Sequence, residues 1–80
     1  ERLAEFLLLL KESHGVESEH GIFLDIKLTR EEMASIIGTA SETLIRFMSE
    51  LKQEGLIKQE GKKIFITDEG GLVEFANIDY

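Results

Sequence analysis

Two hydrophobic periods run along this chain, and the switches between them mark its elements. In residues 2–13, Leu3, Phe6, Leu7 and Leu10 recur at i, i+3, i+4, i+7, the apolar stripe of a helix, and Leu8 and Leu9 widen it. So apolar a surface asks for a second packing partner, the rest of a longer protein or a twin subunit. The pattern opens with no capping residue at Glu1 or Arg2, so the segment reads as cut from a longer chain. Residues 14–21 (HGVESEHG) hold two glycines and no period, and are expected to form a loop. From Ile22 to Leu28, apolar Ile22, Leu24, Ile26 and Leu28 alternate with Phe23, Asp25 and Lys27, which predicts a half-buried strand.

Thr29, followed three residues later by Glu32, forms a capping box that starts a helix from Arg30 to Ile37, with Met33, Ile36 and Ile37 turned inward. Gly38 stops it, where a left-handed residue is needed. After a short turn, Leu44, Phe47, Met48 and Leu51 again fall at i, i+3, i+4, i+7, predicting a second helix to about Glu54, closed by Gly55. Two strand-like runs follow, Leu56 to Gln59 and Lys63 to Thr67, with Glu60-Gly61 as a hairpin turn. Gly70-Gly71 is expected to end the hairpin segment, and Leu72 to Tyr80 to add one short terminal turn through Leu72, Phe75 and Ala76.

A strand, a capped helix, a Gly turn, an amphipathic helix and a hairpin, in that order, make an α+β winged helix-turn-helix: a three-helix core with a small antiparallel wing. Ala34 lies where the two helices cross, and Met33, Ile37, Leu44 and Phe47 fill the core beneath the turn. The whole of residues 1–80 reads as one domain, because 80 residues are too few for two.

Composition alters this picture at one point. The net charge of −7 opposes nucleic acid binding on average, because phosphate neutralisation supplies most non-specific affinity. By segment, however, the charge is +2 −6 = −4 over 1–26, +7 −6 = +1 over 27–63 and 0 −4 = −4 over 64–80. Seven of the nine basic residues therefore sit in the middle block, 27–63, and a DNA-facing surface can be locally positive. The absence of cysteine removes disulfides, zinc thiolates and thiol nucleophiles, and suits a cytoplasmic protein. The longest apolar run, Phe6 to Leu10, is far short of the roughly 20 residues that span a bilayer.

Residues 28–67, LTREEMASIIGTASETLIRFMSELKQEGLIKQEGKKIFIT, closely resemble the C-terminal DNA-binding domain of the Crp/Fnr family of bacterial transcription regulators; the helix and strand before them match the family's order of elements more loosely. The resemblance implies a dimeric regulator whose N-terminal part is a cyclic-nucleotide-binding-type β-barrel with a dimerisation helix. It implies no cofactor for the present segment, a cyclic nucleotide or other effector belonging to that other domain. It also aligns residues 14–21 with the surface that Crp-like activators present to RNA polymerase, although the loop's own sequence does not match.

In such domains the second helix enters the major groove and offers side chains to base edges. Opposite the apolar stripe stand Glu42, Ile45, Arg46 and Ser49, at i, i+3, i+4, i+7. Glu42 and Arg46 match the family's base-reading Glu and Arg. Arg46 is suited to guanine O6 and N7, Glu42 to a cytosine amino group, and Ile45 to a thymine methyl. The fourth candidate, Ser41, replaces a further guanine-reading Arg of the cyclic-AMP-responsive branch. Thr39, Ser49, Lys58, Lys62 and Lys63 are expected on the DNA backbone.

Each residue also has a plainer role open to it. Glu42 can complete a second capping box with Thr39, Arg46 can pair with Glu42 or Glu50, and the lysines can protect an edge strand. Lys27 and Lys52 read as solvated charges. His14, His20, Glu17 and Glu19 lie in a loop that fixes no metal geometry. No Cys nucleophile, Ser-His-acid pattern, phosphate-cradling loop or apolar-set carboxylate pair supports an enzyme. A rival from another class is a winged helix used for protein interaction, favoured by the acidic charge and the apolar first helix.

Overall fold

The computed structural model describes residues 2–78. Helix α1 (Leu3–His14) leads into hairpin β1 (Gly15–Ser18) and β2 (Gly21–Leu24). Helices α2 (Arg30–Ile37) and α3 (Ser41–Gln53) precede hairpin β3 (Ile57–Glu60) and β4 (Lys63–Ile66), and α4 (Glu69–Ile78) closes the chain. All four strands join in one antiparallel sheet of order β1-β2-β4-β3. The architecture is α+β and contains the expected helix-turn-helix with its wing, to which β1 and α4 are additions.

The first correction concerns residues 14–21. His14 ends α1, and Gly15 to Ser18 pair with Gly21 to Leu24, so the expected loop is a hairpin. Every residue of β1 is exposed, so no apolar alternation marks it. Conversely, the strand expected to reach Leu28 stops at Leu24. Beyond it β1 is used up at Gly15, and β4 pairs only with Ile22 and Phe23, leaving residues 25–28 without a neighbouring strand. Their alternation survives as burial alone: Ile26 and Leu28 are half-buried, Asp25 and Lys27 exposed.

The tail is also longer than expected. Asp68 accepts a hydrogen bond from the Gly71 N–H at 2.9 Å, capping α4 before the two glycines that were expected to end the preceding segment. Gly71 serves close packing instead, because a Cβ there would press on Leu56 and on Asp68 itself. Leu72 is fully buried, and α4 packs along α1, where Lys11 forms an ion pair with Glu69. The hydrogen bond that Lys11 Nζ donates to Glu69 Oε2 is the main cause holding the Lys11 ammonium pKa above its ordinary value. The last expected tail residues, Asp79 and Tyr80, lie outside the described residues, as does Glu1.

One core gathers from every layer: Leu3 and Leu7 of α1, Leu24 of β2, Met33 and Ala34 of α2, Leu44, Met48 and Leu51 of α3, Ile66 of β4 and Leu72 of α4. Ile36 is not part of it. It is 59% exposed while Met33 is 1% exposed. At about 100° per residue, burial of Met33, Ala34 and half-buried Ile37 turns the inward face of α2 away from position 36.

Candidate nucleic-acid interface

The helix-turn-helix is held by local bonds that place α3. Thr29 and Glu32 complete the capping box, with the Glu32 N–H donating to Thr29 Oγ1 at 3.0 Å and the Thr29 N–H to Glu32 Oε1 at 2.8 Å. Gly38 adopts φ 88°, ψ 38°, and its N–H, like that of Thr39, donates to the Ala34 carbonyl. A Cβ at Gly38 would meet nothing within 4 Å, so only the backbone conformation resists substitution. Gly38→Ala is therefore expected to lower stability by about 1–2 kcal/mol, read as a shifted denaturation midpoint. An unchanged midpoint would show that the turn relaxes without loss.

Helix α3 has two unlike faces. Leu44, Met48 and Leu51 are buried and Phe47 is half-buried, as the spacing predicts. On the other side Glu42 and Arg46 are exposed, Ile45 is 52% exposed, and Ser41 and Ser49 are half-buried. The capping box suggested for Glu42 with Thr39 does not form: the residue before α3 is Ala40, and no side chain caps the helix. Arg46 forms no ion pair among the described residues, and its guanidinium sits 5.7 Å from the Phe47 ring centroid. The ring supports the flat cation over an apolar surface without consuming its hydrogen-bond donors.

The wing carries its lysines unequally. Lys58 lies two residues from Glu60, on the same side of β3, and pairs with it at 3.1 Å. That bond, then the charge attraction behind it, holds the Glu60 carboxyl pKa below its ordinary value. Lys62 and Lys63 are exposed at the tip and have no such partner among the described residues. They border an open cleft of about 800 Å³ whose other wall is the stretch from Phe23 to Arg30. Lys27 and Arg30 thus join the wing lysines around one space, a grouping that sequence inspection missed by treating Lys27 as an isolated solvated charge. The clustering of basic residues in 27–63 was the available signal. Candidate residues of α3 and of the wing remain on separate elements, with no hydrogen bond or ion pair joining them among the described residues. His14, His20, Glu17 and Glu19 form no group able to hold a metal ion, and among the described residues no such group exists. Nor is any described helix long and apolar enough to cross a membrane.

A family model described as a Crp-like helix-turn-helix domain matches residues 1–75. The chain is 42% identical over 73 residues to the transcriptional activator protein FnrL of Cereibacter sphaeroides, covering 90% of this chain and 27% of that protein. Among solved structures it is similar to the imidazole-bound CO-dependent transcription factor CooA from Carboxydothermus hydrogenoformans. The TM-score is 0.86 at 30% identity, over 94% of this chain and 35% of that one. It is also similar to a Crp/Fnr-family transcriptional regulator from Thermus thermophilus, with TM-score 0.82 at 36% identity over 95% of this chain and 39% of the other. The chain therefore spans about a third of the length of the relatives it matches. These relatives are named as transcription factors and not as enzymes.

Proposed function

The chain belongs to the Crp-like helix-turn-helix domain family, and on that premise we propose that it is the sequence-specific double-stranded DNA-binding domain of a longer transcription regulator, with α3 read into the major groove. The observation that carries this reading is the face of α3 on which Glu42, Ile45 and Arg46 stand exposed while the opposite face is locked in the core. Arg46 donates to guanine O6 and N7, Glu42 accepts from a cytosine amino group, Ile45 meets a thymine methyl, and Ser41 reaches a neighbouring base edge. Thr39 and Ser49 hold phosphates at the two ends of that face, and Lys58, Lys62 and Lys63 hold them from the wing. The regulator acts in the cytoplasm as a homodimer on a two-fold operator, and residues 14–21, which include the exposed strand β1, are its surface towards RNA polymerase.

Competition binding against operator variants tests the base-reading residues. Arg46→Ala and Glu42→Ala are each expected to lose about 1–3 kcal/mol of discrimination, mostly at one base pair, with an unaltered thermal midpoint. Unchanged preference at every operator position in both variants would overturn the assignment.

The wing has a different signature, since phosphate contacts carry no sequence information. Replacing Lys58, Lys62 and Lys63 with Gln is expected to weaken specific and non-specific DNA alike and to flatten the log–log salt dependence by up to about 0.9 for each phosphate no longer neutralised. Most of that change belongs to Lys62 and Lys63, because Lys58 must first leave Glu60. An unchanged slope would show that the wing stays off the backbone.

A further inference from the structure

We infer that the cleft beside the wing is a binding site for an amphipathic carboxylate, a medium-length alkyl chain ending in one negative charge. Its volume of about 800 Å³ lies in the range of small-molecule sites, roughly 300–1,000 Å³. Phe23, Ile26 and Leu28 line it and are only half-buried; Ile26 and Leu28 lie past the end of β2, where no strand flanks them. A small adjoining void, bordered by Leu10, Met33 and Ile64, shares Ile26 and Leu28 and continues this apolar floor towards the core. Lys27, Arg30, Lys62 and Lys63 also line the cleft, against one carboxylate, Asp25.

The lining side chains therefore sum to +4 −1 = +3 in a chain whose net charge is −7, with the Glu60 carboxylate, paired with Lys58 and opposite Lys63 in the hairpin, just outside them. None of the four cations has an ion-pair or side-chain hydrogen-bond partner among the described residues. A duplex backbone or an inorganic anion satisfies these cations and leaves the apolar floor wet. A neutral lipid covers the floor and leaves the cations unpaired. A fatty carboxylate answers both, since apolar burial and charge pairing act on its two ends. Lys62 and Lys63 are also proposed phosphate contacts, so an occupied cleft displaces DNA; that consequence alone rests on the DNA-binding reading.

The test titrates octanoate, octan-1-ol and acetate into the 80-residue chain while its amide resonances are followed by NMR. Octanoate is expected to saturate in the sub-millimolar to low-millimolar range, as suits a ligand of this size, and to shift residues 23–30 and 62–63. Octan-1-ol and acetate should each bind at least about tenfold more weakly. Replacing Lys62 and Lys63 with Gln should weaken octanoate by about tenfold and leave octan-1-ol unaffected, while the thermal midpoint stays in place. Equal binding of octanoate and octan-1-ol, shifts centred away from the cleft, or no saturation would each overturn the site. A parallel titration with half-site DNA keeps the two readings apart. DNA binding without octanoate uptake overturns the cleft site and leaves the DNA reading standing; octanoate uptake without DNA binding does the reverse.

Discussion

Fusing the 80-residue chain to an unrelated parallel coiled coil is expected to tighten its binding to a palindromic operator by about 10²–10⁴-fold, with little change on a single half-site. The first recognition helix to dock holds the second at a high effective concentration over its own half-site, so affinity rises without any new contact. The electrostatics of this domain make the gain easy to see. One monomer brings a middle segment of only +1, flanked by two segments of −4 each, and the flanks oppose the approach of a phosphate backbone. A single half-site contact is therefore weak at physiological salt. Comparing the chain with its fusion on both DNA forms by fluorescence anisotropy gives four affinities. Equal values across all four would remove the dimeric-regulator reading while leaving the winged-helix fold standing.

Leu44→Ala is expected to cost about 2–5 kcal/mol of stability, the range for removing a buried leucine side chain and leaving a cavity. Leu44 is fully buried on α3, one residue before exposed Ile45 and two before Arg46. A domain of this size holds about 4–12 kcal/mol in all, at roughly 0.05–0.15 kcal/mol per residue, so the loss is a large share of the whole. At about 4–8 °C per kcal/mol for a domain of this size, calorimetry should show the thermal midpoint lower by about 8–40 °C. Leu9→Ala is the control. Leu9 is 67% exposed on the outer side of α1, and its replacement should stay within about 0.5 kcal/mol. Equal effects from the two substitutions would show that α3 does not pack as described.

The contrast between Leu44 and Leu9 also shows where sequence patterns stop informing. Leu3 and Leu7 lie at the centre of the α1 stripe and are fully buried. The widening by Leu8 and Leu9 splits, Leu8 packing half-buried against the core and Leu9 standing exposed, because periodicity gives a direction around the helix axis and not the width of the surface that a partner covers. Ile36 failed on direction instead: Met33 and Ile37 alone leave it near the inward face, but burial of Ala34 as well turns that face away from it.

Short-range physics made the helix-turn-helix legible from residue types alone. Thr29 and Glu32 cap each other across one turn, Gly38 takes a backbone conformation that few residues accept, and Leu44, Met48 and Leu51 recur at the helical period. The wing followed from its turn glycine and the short apolar strands on either side. Each of these features depends on neighbours within a few positions. The β1–β2 hairpin, the early end of β2 and the start of α4 do not. β1 is exposed throughout and is specified by pairing with β2, while β2 ends where its partners run out. Gly71 belongs inside α4 because Leu56, fifteen positions earlier, leaves no room for a Cβ. The cleft is the furthest from local rules: Lys27 and Arg30 meet Lys62 and Lys63 across more than thirty residues of chain, and only closure of the sheet puts those charges around one space.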